Sequence, residues 1–379
     1  MNDKIAILIL AFGFALTTAC TQAKNDSNSA GGVIQQQEID SVENQVILNI
    51  ANNVIVPTYK GLSDSTALLR DQVHVLESDR TQENLTKAQN LWKQSRLYWE
   101  STEAFLFGPV ESLSVDPMID TWPLNRSDLN AILISGFEIT PEVLRSLGTN
   151  LKGFHTAEYL LFGDGLTTNQ KSINALTDRE IQYLKATAIV LAEDTLKLTN
   201  AWIQHSDPDD QNSMAYVELL TKPGFSNVFY NSKQAVIAEF INGMIGIADE
   251  VGSGKIADPL GGSLADANPA AEESPFSWNS VSDFSNNIRS LRMMYTGQSP
   301  TGTGVGIKTL LERRDPVLAM QVSGQIDLAI QKIQDISSDG TPFGKAILNE
   351  AGRARVLSAQ LEVNNLFTLL KQKVLPLLQ

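Results

Sequence analysis

Residues 177–204 read TDREIQYLKATAIVLAEDTLKLTNAWIQ. Apolar or small residues recur there at Ile181, Leu184, Ala188, Leu191, Thr195, Leu198 and Trp202, in steps of three and four. Residues so spaced share one face of an α-helix. The same beat runs through 83–107 at Leu85, Ala88, Trp92, Ser95, Trp99, Thr102 and Leu106. It returns near the C-terminus at Phe343, Ile347, Ala354, Leu357, Leu361, Phe367, Leu370 and Val374. Long amphipathic helices of this kind bury their stripes against one another in bundles. Period-two runs are few, so the spacing predicts an all-α fold without a substantial β-sheet.

Two segments interrupt the pattern. Residues 108–126 (GPVESLSVDPMIDTWPLNR) carry three prolines, and residues 252–279 (GSGKIADPLGGSLADANPAAEESPFSWN) are rich in Gly, Pro, Ala and Ser. Both read as long irregular loops, a class that is often functional inside compact domains. Pro223-Gly224 marks a further break. The expected organisation is two helical-bundle domains, 41–222 and 223–379. Their similar lengths and one long loop apiece hint at duplicated four-helix-bundle-like halves.

Of 379 residues, 42% are hydrophobic and 19% charged, a globular composition. Asp and Glu number 43 against 29 Lys and Arg, for a net charge of −14. That balance argues against a nucleic-acid partner, which needs clustered basic residues, and is compatible with a cation ligand. The lone cysteine excludes a disulfide framework, a thiolate zinc site and an iron–sulfur cluster.

Lys4 precedes an apolar run from Ile5 to Leu16, followed by the small residues Thr17, Thr18 and Ala19. The run is too short for a bilayer span of about 20 residues and reads as a secretory signal over 1–20. Cys20 follows the exit directly, which resembles a bacterial lipoprotein signal whose cysteine is lipidated. Leu16 lies four residues before Cys20 where the usual box has it three before, and an ordinary cleaved signal is the alternative. Thr21 is not the Asp that often retains lipoproteins at an inner membrane. The expected location is therefore the cell envelope, on an outer-membrane lipid anchor facing the periplasm. Residues 21–40 read as a flexible tether.

Gly153–Gly163 (GFHTAEYLLFG) is the segment richest in chemistry. Asn150 is placed to cap its helix and Gly163 to end it. His155 and Glu158 lie about 60° apart on the face that also carries Leu151, Phe154, Leu161 and Phe162. A carboxylate within an apolar stripe needs a basic partner, a hydrogen-bond network or a metal ion. Imidazole suits iron, zinc, copper and nickel, and added carboxylates favour harder ions such as iron or manganese. A structural His–Glu hydrogen bond is the plainer alternative.

On 83–107, Glu103 borders the apolar face and points inward, whereas Arg96 and Glu100 read as a surface i,i+4 pair. The following loop offers Glu111, Asp116 and Asp120, the last held in a stiff Asp-Thr-Trp-Pro setting or serving as a turn cap. His74 and His205 read as surface histidines. Gly302-Thr303-Gly304-Val305-Gly306 lacks a preceding strand and a Lys-Ser/Thr pair and reads as a flexible turn.

Several ordered segments together resemble the imelysin (M75 peptidase-like) family. They are Val54–Tyr59 (VIVPTY), Thr102–Pro109 (TEAFLFGP), Ile119–Leu124 (IDTWPL) and the Gly-x-His-x-x-Glu run from Gly153 to Glu158. Glu273–Asn279 (ESPFSWN) and Tyr295-Thr296-Gly297 extend the match into the second half. The resemblance implies an all-α fold of two helical bundles with a site near their junction, and a link to iron acquisition. Carried over by motif, its implied metal ligands are His155, Glu158, Glu103 and Asp120. One departure stands out: the family usually has His where this chain has Trp278, and Trp cannot ligate a metal.

Three functions are compatible with these residues. The first is an exported protein that binds a metal ion or metal complex, iron ahead of zinc, without catalysis, alongside envelope iron-transport proteins. The second is a metallopeptidase, which needs an open coordination position and a base. Here one His precedes one Glu, unlike the two-His zincin motif. The third is a metal-free partner-binding module in which His155 and Glu158 are structural and Arg96 neutralises the carboxylates.

Overall fold

The structure, a computed structural model, describes residues 41–299 and 302–379. The signal at 1–20, the tether at 21–40 and the lipidation of Cys20 lie outside the described residues. Among the described residues there is no sheet, and the chain is a succession of helices. Residues 42–379 form one compact unit.

Eight long helices build it: α1 (Val56–Ser78), α2 (Gln82–Glu100), α3 (Gly153–Phe162), α4 (Asp178–Ile203), α5 (Lys233–Asp249), α6 (Ser280–Thr296), α7 (Pro316–Asp335) and α8 (Glu350–Leu369). Helix α1 packs on α2 and α4, and α3 packs on α2 and α4. Likewise α5 packs on α6 and α8, and α7 on α6 and α8. The helices thus fall into two bundles of four, joined where α2 meets α6.

Local chemistry explains the boundaries. Thr177 and Glu180 form a reciprocal capping box that starts α4. All seven positions of its apolar stripe are buried. A wide π-helical turn, Ile50–Ile55, leads into α1, where Pro57 has no N–H for a regular helical bond. Helix α2 starts at Thr81, whose side chain accepts from the Asn84 amide.

Some expectations need correction. Helix α2 stops at Glu100, so Glu103 stands on a separate 3₁₀ turn, Glu103–Phe105. The Thr102 hydroxyl donates to the Trp99 carbonyl at this end, and Gly108 turns the chain at φ 67°. Helix α8 buries Val356, Ala359, Val363 and Leu366, while Leu357 and Leu361 are about half exposed. The expected positions flanking α8, Phe343, Ile347, Leu370 and Val374, are buried, whereas inside α8 the stripe has the expected period but a different phase. Both long loops contain ordered turns, among them Pro109–Ser112, Val115–Ile119 and Ala257–Leu260. The Gly302–Gly306 turn is pinned by Asn49, whose amide donates to the carbonyls of Gly297 and Val305.

Candidate functional site: a buried carboxylate cluster around Arg96

Gly153 fixes the geometry of the Gly-x-His-x-x-Glu helix. It has φ +79°, and a Cβ there would come within 2.2 Å of the Ile119 carbonyl oxygen. Only glycine tolerates both conditions. The N-terminus of α3 therefore lies directly against the loop that carries Asp120. Asn150 does not cap this helix; Lys152 occupies that position without a side-chain bond. Gly163 does end it at positive φ, with its N–H donating to the Tyr159 carbonyl.

His155 and Glu158 are both fully buried. The imidazole Nδ1 lies 3.3 Å from Glu158 Oε2, and Nε2 lies 3.2 Å from Asp120 Oδ1. Trp122 packs on the imidazole with ring centroids 4.8 Å apart. Burial works against a charged imidazole, but hydrogen bonding to Asp120 and Glu158 outweighs it and moves the His155 pKa up to about 9. His155 is thus an imidazolium at neutral pH in this arrangement.

Glu158 does not join Glu103 in a common donor group. Its Oε1 accepts from the Phe276 amide at 3.1 Å, the Ser277 amide at 2.8 Å and the Ser277 hydroxyl at 2.7 Å. It therefore clamps the 273–279 loop, and one of its oxygens is fully engaged in doing so.

Arg96 sits at the centre. Its side chain is completely buried, not on the surface as its spacing with Glu100 predicts. Nη1 donates to Asp120, Nη2 donates to Glu273 at 2.5 Å, Glu100 lies 2.5 Å away, and Asp283 of α6 approaches Nε at 3.8 Å. Asp120 also accepts from Trp99 Nε1 at 2.6 Å. Burial opposes the Arg96 charge, yet Asp120, Glu100, Asp283 and Glu273 together hold it. In return Arg96 and His155 keep the Asp120 carboxyl well below its ordinary range despite burial.

A second cation, Lys255, comes from the turn after α5. Its Nζ lies 3.6 to 3.7 Å from carboxylate oxygens of Glu100, Glu103, Glu250 and Glu273. Those separations fit ion pairing and are too long for good hydrogen bonds. Burial pushes the carboxyls of Glu100, Glu103 and Asp283 upward, more than Lys255 or Arg96 pulls them down.

Two groups of potential donors result: Asp120, His155 and Glu273, and Glu100, Glu103 and Asp120, each with ligand atoms within 4.8 Å of one another. Of the four ligands expected from the sequence, Asp120 is shared by both groups. His155 falls in the first and Glu103 in the second, and Glu158 is in neither. Glu111 and Asp116 are exposed and join neither group. Glu273, Lys255 and Asp283 were not singled out from the sequence. Glu273 opens the ESPFSWN segment, and its charge beside a buried Ser-Pro-Phe-Ser run was the available signal.

These contacts define an all-helical protein with a guanidinium, an imidazole and several carboxylates enclosed where its two bundles meet. The model of the imelysin family, also designated peptidase M75, matches residues 55–370, and the chain belongs to that family. It is 30% identical over 339 residues to iron-regulated protein A of Synechococcus elongatus, covering 89% of this chain and 87% of the relative. A crystal structure described as an iron-regulated protein A precursor, from Parabacteroides distasonis, superposes with a TM-score of 0.78 at 28% identity. It covers 89% of this chain and 95% of its own. An imelysin-like protein from Psychrobacter arcticum shares the fold, with a TM-score of 0.65 at 16% identity over 89% of this chain and 96% of its own.

Proposed function

We propose that this imelysin-family protein binds an iron ion at the Asp120, His155 and Glu273 group and acts in iron acquisition as a binding protein, not as a hydrolase. One observation carries the reading. Among the described residues, six buried or nearly buried carboxyl groups (Glu100, Glu103, Asp120, Glu158, Glu273 and Asp283) gather around Arg96, Lys255 and His155. Negative charge is in formal excess, and burial first, with repulsion between the carboxyls second, pushes three of them toward protonation. A di- or trivalent cation supplies the missing charge.

The donor chemistry fits. Carboxylate oxygens with one imidazole suit iron better than softer ions. His155 Nε2 faces Asp120 at 3.2 Å and Glu100 Oε1 faces Arg96 at 2.5 Å, both without well-aligned hydrogen-bond geometry. Arg96 already holds Asp120 and Glu273, so a metal ion competes with the guanidinium for the same oxygens, and His155 must release its proton to become a ligand. Glu158 acts beside the donors, orienting His155 through Nδ1 and holding the loop that brings Glu273 in. Because its Oε1 accepts three hydrogen bonds, it is poorly placed to serve as a hydrolytic base. The choice of iron draws on the name of the related iron-regulated proteins.

In this reading the protein is exported and lipid-anchored through Cys20 at the outer membrane, facing the periplasm. Mass spectrometry of the mature N-terminus tests that part, and a peptide starting at unmodified Thr21 contradicts it. The metal reading is tested by calorimetric titration of the full mature chain with ferrous iron, a ferric chelate and zinc. Saturation near one iron per chain is expected, with loss in Asp120→Asn and His155→Ala. Equal affinity in folded variants contradicts it.

A further inference from the structure

Beside this centre lies a cavity of about 380 Å³ that the metal reading does not use. Its walls are strongly apolar, with Trp122, Phe276, Trp278 and Leu348 among them. Cavities of this size and character commonly hold small organic ligands. Two features indicate which kind.

The first is an aromatic side chain held under strain. Trp278 has φ 60°, a left-handed backbone that bulky residues adopt only where their surroundings enforce it. Its indole N–H donates to the Gly165 carbonyl at 2.7 Å, which locks the ring orientation. The close approach is built in on the other side too: a Cβ on Gly165 would come within 2.1 Å of the Pro275 carbonyl oxygen. Strain of this kind concentrates where a side chain must be presented in one pose.

The second is charge. Arg126 and Lys345 both line the cavity, and neither has a carboxylate partner among the described residues. Each instead lies over aromatic rings: Lys345 Nζ is 3.9 Å from the Trp278 ring centroid, and the Arg126 guanidinium is 5.2 Å from that of Tyr159. In a protein with a net charge of −14, two cations without anionic partners on one apolar cavity form a local anion-binding edge. Two acidic residues also line the cavity. Asp164 is engaged with the Leu166 amide, and Glu272 is buried and hydrogen-bonded to Ser280.

We propose that this cavity binds a small organic anion with a flat aromatic body. The aromatic walls take the ring, and Arg126 and Lys345 take the anionic group. Trp278 contributes stacking surface to those walls. The inference is independent of the metal reading, and its test is run in metal-free buffer.

The experiment is calorimetric titration of the full mature chain with 1-naphthoate and with its neutral analogue 1-naphthalenemethanol. One saturable site for naphthoate is expected, with the neutral compound at least about tenfold weaker. The Arg126→Gln/Lys345→Gln double variant should lose roughly tenfold or more in naphthoate affinity. Leu348→Trp, which fills the cavity from a half-exposed position, should abolish binding, with an unchanged thermal midpoint showing that the variant is folded. No saturation with the native chain, equal affinity for both compounds, or binding that survives in the double variant and in Leu348→Trp overturns the proposal.

Discussion

Arg96 donates to the same Asp120 carboxylate that His155 approaches from α3. One oxygen-bearing side chain thus joins the two parts of the site: the cation in α2 and the imidazole of the Gly-x-His-x-x-Glu helix. Most of the expected behaviour of the protein follows from that shared carboxylate.

Removing the guanidinium leaves its carboxylates buried without their cation. Breaking one side of a buried ion pair typically costs about 3–5 kcal/mol. Arg96→Met should therefore destabilise the fold by that order in urea unfolding at pH 7.5. Arg96 holds Asp120 below its ordinary value, so the stabilisation is present above the unfolded pKa and fades as pH falls through the folded one. The gap between native and variant should accordingly narrow below about pH 4. A gap that stays constant from pH 7.5 to 3.5 would contradict the role assigned to Arg96.

Gly153→Ala should cost roughly 2–4 kcal/mol, because it combines a positive φ with a direct clash against the Ile119 carbonyl. Helix α3 and the Asp120 loop must then separate, so metal affinity should fall along with the thermal midpoint. A variant as stable as the native chain would show that the close approach is not needed.

Glu158 clamps two loop amides, and hydrogen exchange reads that clamp directly. In Glu158→Ala the Phe276 and Ser277 amides should exchange faster by about tenfold or more, as a hydrogen bond to a charged group is worth roughly 1.5–3 kcal/mol. Exchange in the core of α4, far from the clamp, should change little. Unaltered protection at Phe276 and Ser277 would remove the positioning role.

Glu272 is buried, accepts from Ser280 and has its pKa raised to about 7. Its unfolded pKa is near 4.5, so the folded state holds the proton more tightly. Its contribution to stability is full below about pH 4.5 and is lost as pH rises to about 7, by up to about 3 kcal/mol. Glu272→Gln should abolish that part of the pH dependence and raise the thermal midpoint at pH 8 relative to the native chain. Parallel stability curves for the two proteins between pH 5 and 8 would contradict this.

The fold was largely legible because helical period is a local property. In α4 a capping box sets the phase, and Ile181 through Trp202 fall where the count puts them. In α8 the period was right and the phase was not. Leucines at 357 and 361 drew the stripe outward, while Arg353 goes inward to bond the Leu260, Gly261 and Ile347 carbonyls. The same limit applies to the site. His155 stood out from its own helix, and Asp120 was implied by the resemblance to the family. Arg96 was legible as a cation able to neutralise the carboxylates, but its partners Glu273 and Asp283 lie on the far side of the chain and only the tertiary fold brings them in. Local spacing therefore assigned Arg96 and Glu100 to the surface, and the packing of α2 against α6 buried them.

The most direct test of the central claim is anomalous diffraction at the iron edge from crystals equilibrated with ferrous iron under anaerobic conditions. The expected result is one strong peak bounded by Asp120, His155 and Glu273, with the Arg96 guanidinium moved off Asp120. No peak there, with Arg96 still bound to Asp120 and Glu273, would contradict the account and leave the cluster as a structural ion network.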